Sequence, residues 1–318
     1  MHVKRKLTTM KKVTGTVIAL LLVFNVSGQS IPHLRETKKD ISYGPHERNV
    51  LDLYLADADG PTPLVVFIHG GGFRRGSKDM LSQVMLRHCL QRGLSVATIN
   101  YRLSDTGPFP IQHMDAARAI QFLRYNAEKW NLDKRRVVAS GESAGAGISL
   151  WLGFHDDLAD PKAKDPILKE STRLNCIAVF GAQHTYDPRW IKANVGASAH
   201  IHPALALFFG VPINEWDTRQ AYDVFERSAA ITYLTADDAP VWAIYNEPDR
   251  DVPADAEVGE GIHHPRFGRA LKKAMDDVNI DCTVHHIDDY PHDGKKGTWP
   301  EEAFMPDMMD FIVQHLVR

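Results

Sequence analysis

Short, continuous runs of apolar residues alternate with longer amphipathic segments along most of the chain. A run of this kind, without polar alternation, is typical of a strand buried on both faces of a sheet. The predicted buried strands are 63–72, 94–103, 135–143, 175–183, 240–248 and 282–288, and the segment 49–56 alternates as a half-buried strand does.

The segments between these strands carry apolar residues at helical spacing. The clearest case is 112–130, where the spaced residues are Met114, Ala119, Leu123 and Ala127, and further helices are predicted at 144–154, about 265–278 and 304–317. Strands that alternate with helices predict the α/β class, with a mostly parallel sheet flanked by helices. Because such sheets bind ligands at the carboxyl ends of their strands, the chemistry is expected just after each strand.

One segment, 184–232, interrupts this alternation and is rich in aromatic residues and histidines. We interpret it as a lid or cap inserted into the sheet domain rather than as a separate domain. Its large aromatic residues either line a site or belong to the core, which is the commoner role; they are Trp190, Phe208, Phe209 and Trp216.

The N-terminus has a different pattern, in which basic residues precede an apolar segment at 13–26 and small residues follow it. This pattern predicts a secretory signal peptide over 1–28, a single mature domain over 29–318, and a periplasmic or secreted protein. The alternative is a membrane anchor, but the apolar segment is shorter than the ~20 residues that a spanning helix needs. No membrane span is expected once the signal is cleaved.

Charge and cysteine content exclude several classes of partner. Removal of residues 1–28 takes away five basic residues and no acidic ones, so the formal net charge falls from −3 to −8. An acidic protein is not expected to bind nucleic acid. The cysteines Cys89, Cys176 and Cys282 lack metal-ligand spacing and are expected to be buried free thiols, and we expect neither a metal nor a cofactor.

The segment "GESAG" (141–145) joins a predicted strand to a predicted helix and has the pattern G-x-S-x-G. In this pattern the serine lies on a tight, strained turn that exposes its hydroxyl as a nucleophile. Ser143 is therefore the candidate nucleophile, and Gly141 and Gly145 are expected to be small because strand and helix approach closely there. A serine needs an adjacent base to be activated.

A second glycine-rich segment, "HGGG" (69–72), follows an earlier predicted strand. Attack of a serine on an ester carbonyl creates an oxyanion, which preorganised backbone N–H groups stabilise. We expect Gly71, Gly72 and Ala144 to supply those groups, the last at the N-terminus of a helix. A phosphate-binding loop is the alternative, but the segment lacks both the P-loop lysine and the G-x-G-x-x-G spacing.

Together these motifs resemble those of the α/β-hydrolase fold, in the hormone-sensitive-lipase-like branch of carboxylesterases. The resemblance covers nearly all of 40–318 and is carried by "HGGGF" (69–73), "NYRL" (100–103), "DAARAIQFLR" (115–124), "GESAG" (141–145) and "SAAITYLTADDAPVW" (228–242). The branch often has Asp where this chain has Glu142, a change that keeps the charge. The resemblance implies an α/β-hydrolase fold with a lid insertion and a catalytic Ser-Asp-His order along the chain.

By that order the acid should follow the strand "VWAIYN". Asp249 fits best, because it stands three residues before Val252-Pro253 as in the family, and Asp251 and Glu247 are the alternatives. The acid would orient the histidine and stabilise the imidazolium.

The base should follow the last strand, and His292 lies in the loop beyond it. His285 and His286 lie within that strand, where a structural role is expected. Pro291 stands where the family has glycine, and an apparent insertion, "EGIHHPRFG" (260–268), lengthens the spacing from the acid to this histidine. That insertion holds a histidine pair, 263–264, which could line the site but is expected to cap a helix or lie at the surface.

The resulting hypothesis is a secreted serine carboxylesterase that acts through Ser143, His292 and Asp249 on small-molecule or carbohydrate esters, including acetyl or feruloyl groups. One alternative is an exported serine peptidase-like hydrolase, which shares the triad. The other is a catalytically inactive α/β-hydrolase that binds a ligand.

Overall fold

The computed structural model describes residues 32–196, 198–294 and 298–317. The predicted signal peptide therefore lies outside the described residues. The strands form one eight-stranded sheet in the order β1-β2-β4-β3-β5-β6-β7-β8. Their bounds are β1 (Leu34–Ser42), β2 (Val50–Ala56), β3 (Thr62–Ile68), β4 (Ser95–Ile99), β5 (Leu132–Glu142), β6 (Cys176–Phe180), β7 (Val241–Tyr245) and β8 (Cys282–His286).

The six strands β4, β3, β5, β6, β7 and β8 are parallel to one another. At one edge, β2 pairs antiparallel with β4, and β1 pairs antiparallel with β2. Helices connect and cover the strands. They are α1 (Gln83–Gln91), α2 (Ile111–Tyr125), α3 (Ala127–Trp130), α4 (Ala144–Phe154), α5 (Pro188–Asn194), α6 (Pro203–Phe209), α7 (Arg219–Ser228), α8 (Pro265–Asp277) and α9 (Glu301–Leu316). The predicted helix 112–130 is two helices, because the chain breaks at Asn126.

Alternate residues of the central strands point to opposite faces of the sheet, and each face carries its own apolar cluster. In β3, Leu64, Val66 and Ile68 belong to one cluster, together with residues of α2 and α4. Val65 and Phe67 belong to the other, together with residues of α1 and α9. Burial on both faces is the reason that these strands are continuous apolar runs in the sequence.

The segment 184–232 contains α5, α6 and α7. Its aromatic side chains are mostly core residues: Phe208, Phe209 and Trp216 are buried. Phe208 stacks on Phe73, which follows the HGGG segment, with a ring-centroid distance of 4.0 Å. The segment is thereby packed onto the loop after β3, and its movement as a lid stays a prediction.

All three cysteines are free and buried, as expected. Burial raises the pKa of each thiol, to about 12 for Cys89 and Cys282. They are therefore neutral apolar side chains at physiological pH. None of the described helices is long and apolar enough to cross a membrane.

Candidate active site

The turn between β5 and α4 holds Ser143 in an unusual backbone conformation. The strand ends at Glu142, the helix begins at Ala144, and Ser143 between them has φ 52° and ψ −116°. Its backbone N–H donates to the carbonyl of Phe180, at the end of the neighbouring strand β6, over 2.9 Å. A non-glycine residue at positive φ is uncommon and here marks the expected strained turn.

The glycines on either side of the serine are required by close approach. A Cβ at Gly145 would lie 2.0 Å from the carbonyl oxygen of Ile68, and one at Gly141 would lie 2.6 Å from the same oxygen. Real Cβ contacts do not reach such distances, so a larger residue would force the helix away from β3. The predicted close approach of strand and helix is confirmed.

The loop after β3 turns back toward the serine. Three successive residues, Gly71, Gly72 and Phe73, have positive φ, and the Gly71 carbonyl accepts the N–H groups of two following residues. Gly72 and Ala144 line the same cavity as Ser143, and Gly71 lines an adjoining groove. Ala144 is the first residue of α4, so its N–H has no acceptor within the helix. The three proposed oxyanion donors are thus gathered around the serine.

The imidazole next to Ser143 belongs to His263. Its Nε2 lies 2.8 Å from the Ser143 Oγ, a hydrogen-bond distance. His263 lies in the segment between β7 and α8, two residues before the helix begins at Pro265. Gln183, just beyond β6, donates to the carbonyl of Ile262 and so ties this segment to the end of β6.

The carboxylate closest to this imidazole in the described contacts is Glu247, two residues after β7. Its Oε1 accepts the backbone N–H of His263 over 3.0 Å and lies 3.7 Å from the His263 Nδ1. The second distance exceeds a hydrogen bond, and such contacts commonly tighten when substrate binds. The His286 Nε2 lies 2.9 Å from the backbone carbonyl oxygen of Glu247, a hydrogen-bond distance. This contact holds the chain after β7 against β8.

The pKa of His263 is lowered to about 4, mainly by burial and further by the nearby His202. The imidazole is therefore neutral at physiological pH and can accept a proton from the serine. A neutral base within hydrogen-bond distance of a nucleophile is the arrangement that acyl transfer requires.

The structure does not bring His292 to the serine. The His292 Nε2 lies 3.0 Å from Asp288, and its Nδ1 accepts the backbone N–H of Gly294. The loop that carries it follows β8, which is the edge strand. Strands β6 and β7 lie between β8 and β5, so β8 is about 14 Å from the strand that carries the serine. The structure therefore places His263, and not the expected His292, beside Ser143.

Asp249 is also placed away from the imidazole. Its carboxylate forms two hydrogen bonds with Arg269, at 2.6 and 2.9 Å, and is half exposed. This partner lowers the pKa of Asp249. Asp251 accepts one hydrogen bond from Arg266 and is exposed. Of the three acids considered, the structure brings Glu247, and not the expected Asp249, to His263.

Two signals in the sequence pointed to the histidine pair. Pro291 occupies the place of the usual glycine before His292, and the spacing from the acid is long. His264 caps α8, because its Nδ1 accepts the N–H of Arg266 and Pro265 occupies the first turn. Because His264 and Pro265 begin the helix, the residue before them, His263, lies just outside it. Only the tertiary structure shows that His263 faces Ser143.

Two cavities meet at Ser143. One is small, about 50 Å³, and is lined mainly by apolar side chains, among them Phe73, Tyr186 and Leu205. The other is an open groove of about 600 Å³ whose lining includes His263 and charged side chains. The segment 184–232 contributes to both, because Ala204 lines each of them. The serine thus lies between a small apolar cavity and a wide groove that carries charged side chains.

Among the described residues, no group of three or more His, Cys, Asp or Glu side chains is placed to hold a metal ion.

Comparison with known proteins places this site in a family. The model of the BD-FAE family matches residues 51–258, which is more than half of the chain and includes both glycine motifs and Glu247. The chain belongs to the BD-FAE family. The match confirms the resemblance to hormone-sensitive-lipase-like carboxylesterases.

A curated relative of this BD-FAE chain is the probable isoprenylcysteine alpha-carbonyl methylesterase ICMEL1 of Arabidopsis thaliana. The two are 26% identical over 240 residues, which are 74% of this chain and 48% of the relative. The chain thus spans about half the length of that protein.

Solved structures share the fold of this BD-FAE chain. A truncated carbohydrate esterase from gut microbiota superposes with a TM-score of 0.69 and 19% identity, covering 90% of this chain and 98% of that one. An acetyl ester-xyloside bifunctional hydrolase from Caldicellulosiruptor lactoaceticus superposes with a TM-score of 0.65 and 20% identity, covering 84% and 88%. The predicted α/β-hydrolase fold, a mostly parallel sheet flanked by helices, is confirmed.

Proposed function

We propose that this protein is a serine carboxylesterase that removes short acyl groups, acetyl above all, from the hydroxyl groups of a larger alcohol such as a carbohydrate. The observation that carries the proposal is the 2.8 Å contact between the Ser143 Oγ and the His263 Nε2 on a strained turn. The family match and the esterase names of its relatives support the same activity.

In the proposed mechanism, the Ser143 Oγ attacks the ester carbonyl carbon while its proton passes to the His263 Nε2. The tetrahedral oxyanion accepts hydrogen bonds from the N–H groups of Gly71, Gly72 and Ala144. When the intermediate collapses, the C–O bond to the alcohol breaks, and the imidazolium returns the proton to the leaving oxygen. Water, deprotonated by the same imidazole, then releases the acid from the acyl-enzyme.

Glu247 acts on the imidazole and not on the substrate. It faces Nδ1, the nitrogen opposite the one that contacts Ser143. Its negative charge favours the imidazolium that forms during the reaction. Its hydrogen bond with the His263 backbone N–H fixes the backbone that carries the ring. Glu247 is therefore proposed as the acid of the triad.

The two cavities support a proposed placement of the two parts of the ester. The leaving oxygen must receive its proton from His263, which lines the wide groove, so the alcohol lies there. The acyl group then enters the apolar cavity, whose volume of about 50 Å³ has room for only a few carbon atoms. This size favours acetyl over long-chain or feruloyl groups. The carbohydrate part is supported by the volume of the groove and by the names of two structural neighbours.

The direct test is turnover of p-nitrophenyl acetate, butyrate and octanoate by the wild type and by Ser143→Ala. We expect kcat/KM to fall from acetate to octanoate, and the variant to lose the activity. Fluorophosphonate labelling of the wild type but not of Ser143→Ala would identify the nucleophile independently. Equal turnover by both proteins, or faster cleavage of peptide anilides than of esters, contradicts the proposal.

Export is part of the proposal, because the basic, apolar and small residues of 1–28 are arranged as in a signal peptide. N-terminal sequencing of protein recovered outside the cytoplasm should begin close to residue 29. A full-length chain retained in the cytoplasm contradicts export without affecting the proposed chemistry.

A further inference from the structure

The groove on the alcohol side of Ser143 carries two arginines whose charges are not used by the fold. Arg74 and Arg75 follow the HGGG segment directly, both are exposed, and both line the groove. Neither guanidinium forms an ion pair or hydrogen bond with a residue that the structure describes. In contrast, Arg102 and Arg269 each hold a carboxylate with two hydrogen bonds.

The backbone fixes where these arginines lie. The N–H groups of Arg74 and Arg75 both donate to the Gly71 carbonyl, over 3.1 and 3.2 Å. The Arg75 side chain also passes close to Gly71, because a Cβ on that glycine would lie 3.1 Å from the Arg75 Cγ. The backbone of both arginines is thus fixed on the loop proposed to hold the oxyanion, and both side chains line the groove next to Ser143.

The other ionisable groups of the groove leave it with net positive charge. Glu142 is the acidic residue in its lining, and its Oε1 accepts the indole N–H of Trp299 over 3.1 Å. Burial and the charge of Arg74 lower the pKa of His202. Burial likewise keeps His263 neutral. Two arginines therefore face one anchored carboxylate, in a protein whose formal net charge is −3.

We propose that the alcohol part of the substrate carries a carboxylate, as an acylated uronic acid does, and that Arg74 and Arg75 bind it. The inference rests on the proposed esterase function, since that function assigns this groove to the alcohol. Arginine suits the role because its planar fork matches the geometry of a carboxylate. An acylated hydroxyl and a nearby carboxylate occur together on acidic sugars, and a groove of about 600 Å³ accommodates more than one sugar ring.

The test uses a pair of acetyl esters that differ in charge and little in size, para-acetoxybenzoate and para-acetoxybenzamide. The specificity ratio is kcat/KM for the anionic ester divided by kcat/KM for the neutral one. In the Arg74→Gln/Arg75→Gln double variant we expect this ratio to fall roughly 10-fold, mainly through KM, as loss of charge-assisted hydrogen bonds predicts. Replacement of both arginines by lysine should restore part of the ratio.

Arg219→Gln is the matched control, because Arg219 is exposed and does not line the groove. It should leave the specificity ratio unchanged. Added salt should raise the wild-type KM for the anionic ester and not for the neutral one, because exposed charges are screened. A ratio that is the same in the wild type and the double variant would overturn the proposal.

Binding separates this inference from the esterase activity itself. Calorimetry of the Ser143→Ala variant with digalacturonate and with neutral xylobiose requires no turnover. We expect tighter binding of digalacturonate, and a loss of roughly 10-fold when both arginines are also replaced by glutamine. Equal affinity with and without the arginines refutes the carboxylate site even if ester hydrolysis is intact. Digalacturonate binding that depends on the arginines, in a protein that cleaves no ester, refutes the proposed function alone.

Discussion

Replacement of each candidate histidine separately tests which imidazole serves Ser143. His263→Ala removes the group whose Nε2 lies 2.8 Å from the serine Oγ, so no side chain remains there to accept the proton. General-base catalysis accelerates a reaction roughly 10²–10⁴-fold. We therefore expect kcat/KM for p-nitrophenyl acetate to fall at least roughly 10²-fold in this variant. KM should change much less than kcat, because the imidazole acts in the transition state.

His292→Ala is the matched control. His292 is exposed, and its contacts are with Asp288 and the Gly294 backbone in its own loop. An exposed pair of this kind contributes about 0–1 kcal/mol to stability, so the variant should fold normally. Because the structure describes no contact between His292 and Ser143, kcat/KM should stay within about twofold of wild type. Activity, and not stability, should therefore separate the two histidines.

The assay compares initial rates of ester hydrolysis, fluorophosphonate labelling of Ser143 and thermal unfolding for the three proteins. Labelling requires an activated serine, so it should be lost in His263→Ala and retained in His292→Ala. Unfolding midpoints close to that of wild type show that a loss of rate is not a loss of fold. Full activity of His263→Ala together with an inactive, folded His292→Ala would refute the geometry on which the mechanism rests.

Three further perturbations test the surroundings of the site. Gly145→Ala should abolish activity and destabilise the fold by more than about 2 kcal/mol, because its Cβ would lie 2.0 Å from a β3 carbonyl oxygen. Its control is Gly60→Ala, which has open space around it and should change stability by less than about 1 kcal/mol in a denaturant titration. Phe208→Ala should cost about 3–5 kcal/mol of unfolding free energy, since Phe208 is fully buried, whereas Leu207→Ala, 47% exposed, should cost less than about 1 kcal/mol. The pKa of about 4 for His263 predicts that kcat/KM holds as pH falls through 6.5 and declines only near pH 4; a decline centred at 6.5 in folded protein contradicts this environment. The unfolded imidazole titrates near 6.5, so the same shift lowers the free energy of unfolding as pH falls from 6.5 to 4, and circular dichroism must confirm the fold at each pH.

The sequence by itself determined the parts of this protein that depend on local physical constraints. Continuous apolar runs predicted the parallel strands of the sheet, because burial on both faces permits no polar alternation. The motif around Ser143 predicted the strained turn and the close approach of Gly141 and Gly145, since these features are built from neighbours in the chain. Strand β1 is mostly exposed and lacked such a signal, and it was not predicted.

Only the tertiary structure decided which acid and which base meet the serine. Asp249 and His292 fitted the expected order along the chain, but order does not fix where a loop returns over the sheet. The segment between β7 and α8 folds back to the end of β6 and brings His263 to Ser143, whereas the loop after the edge strand β8 stays with its own Asp288. The choice between two histidines depends on contacts between residues more than 100 positions apart, and no local pattern of apolar and polar residues encodes such contacts.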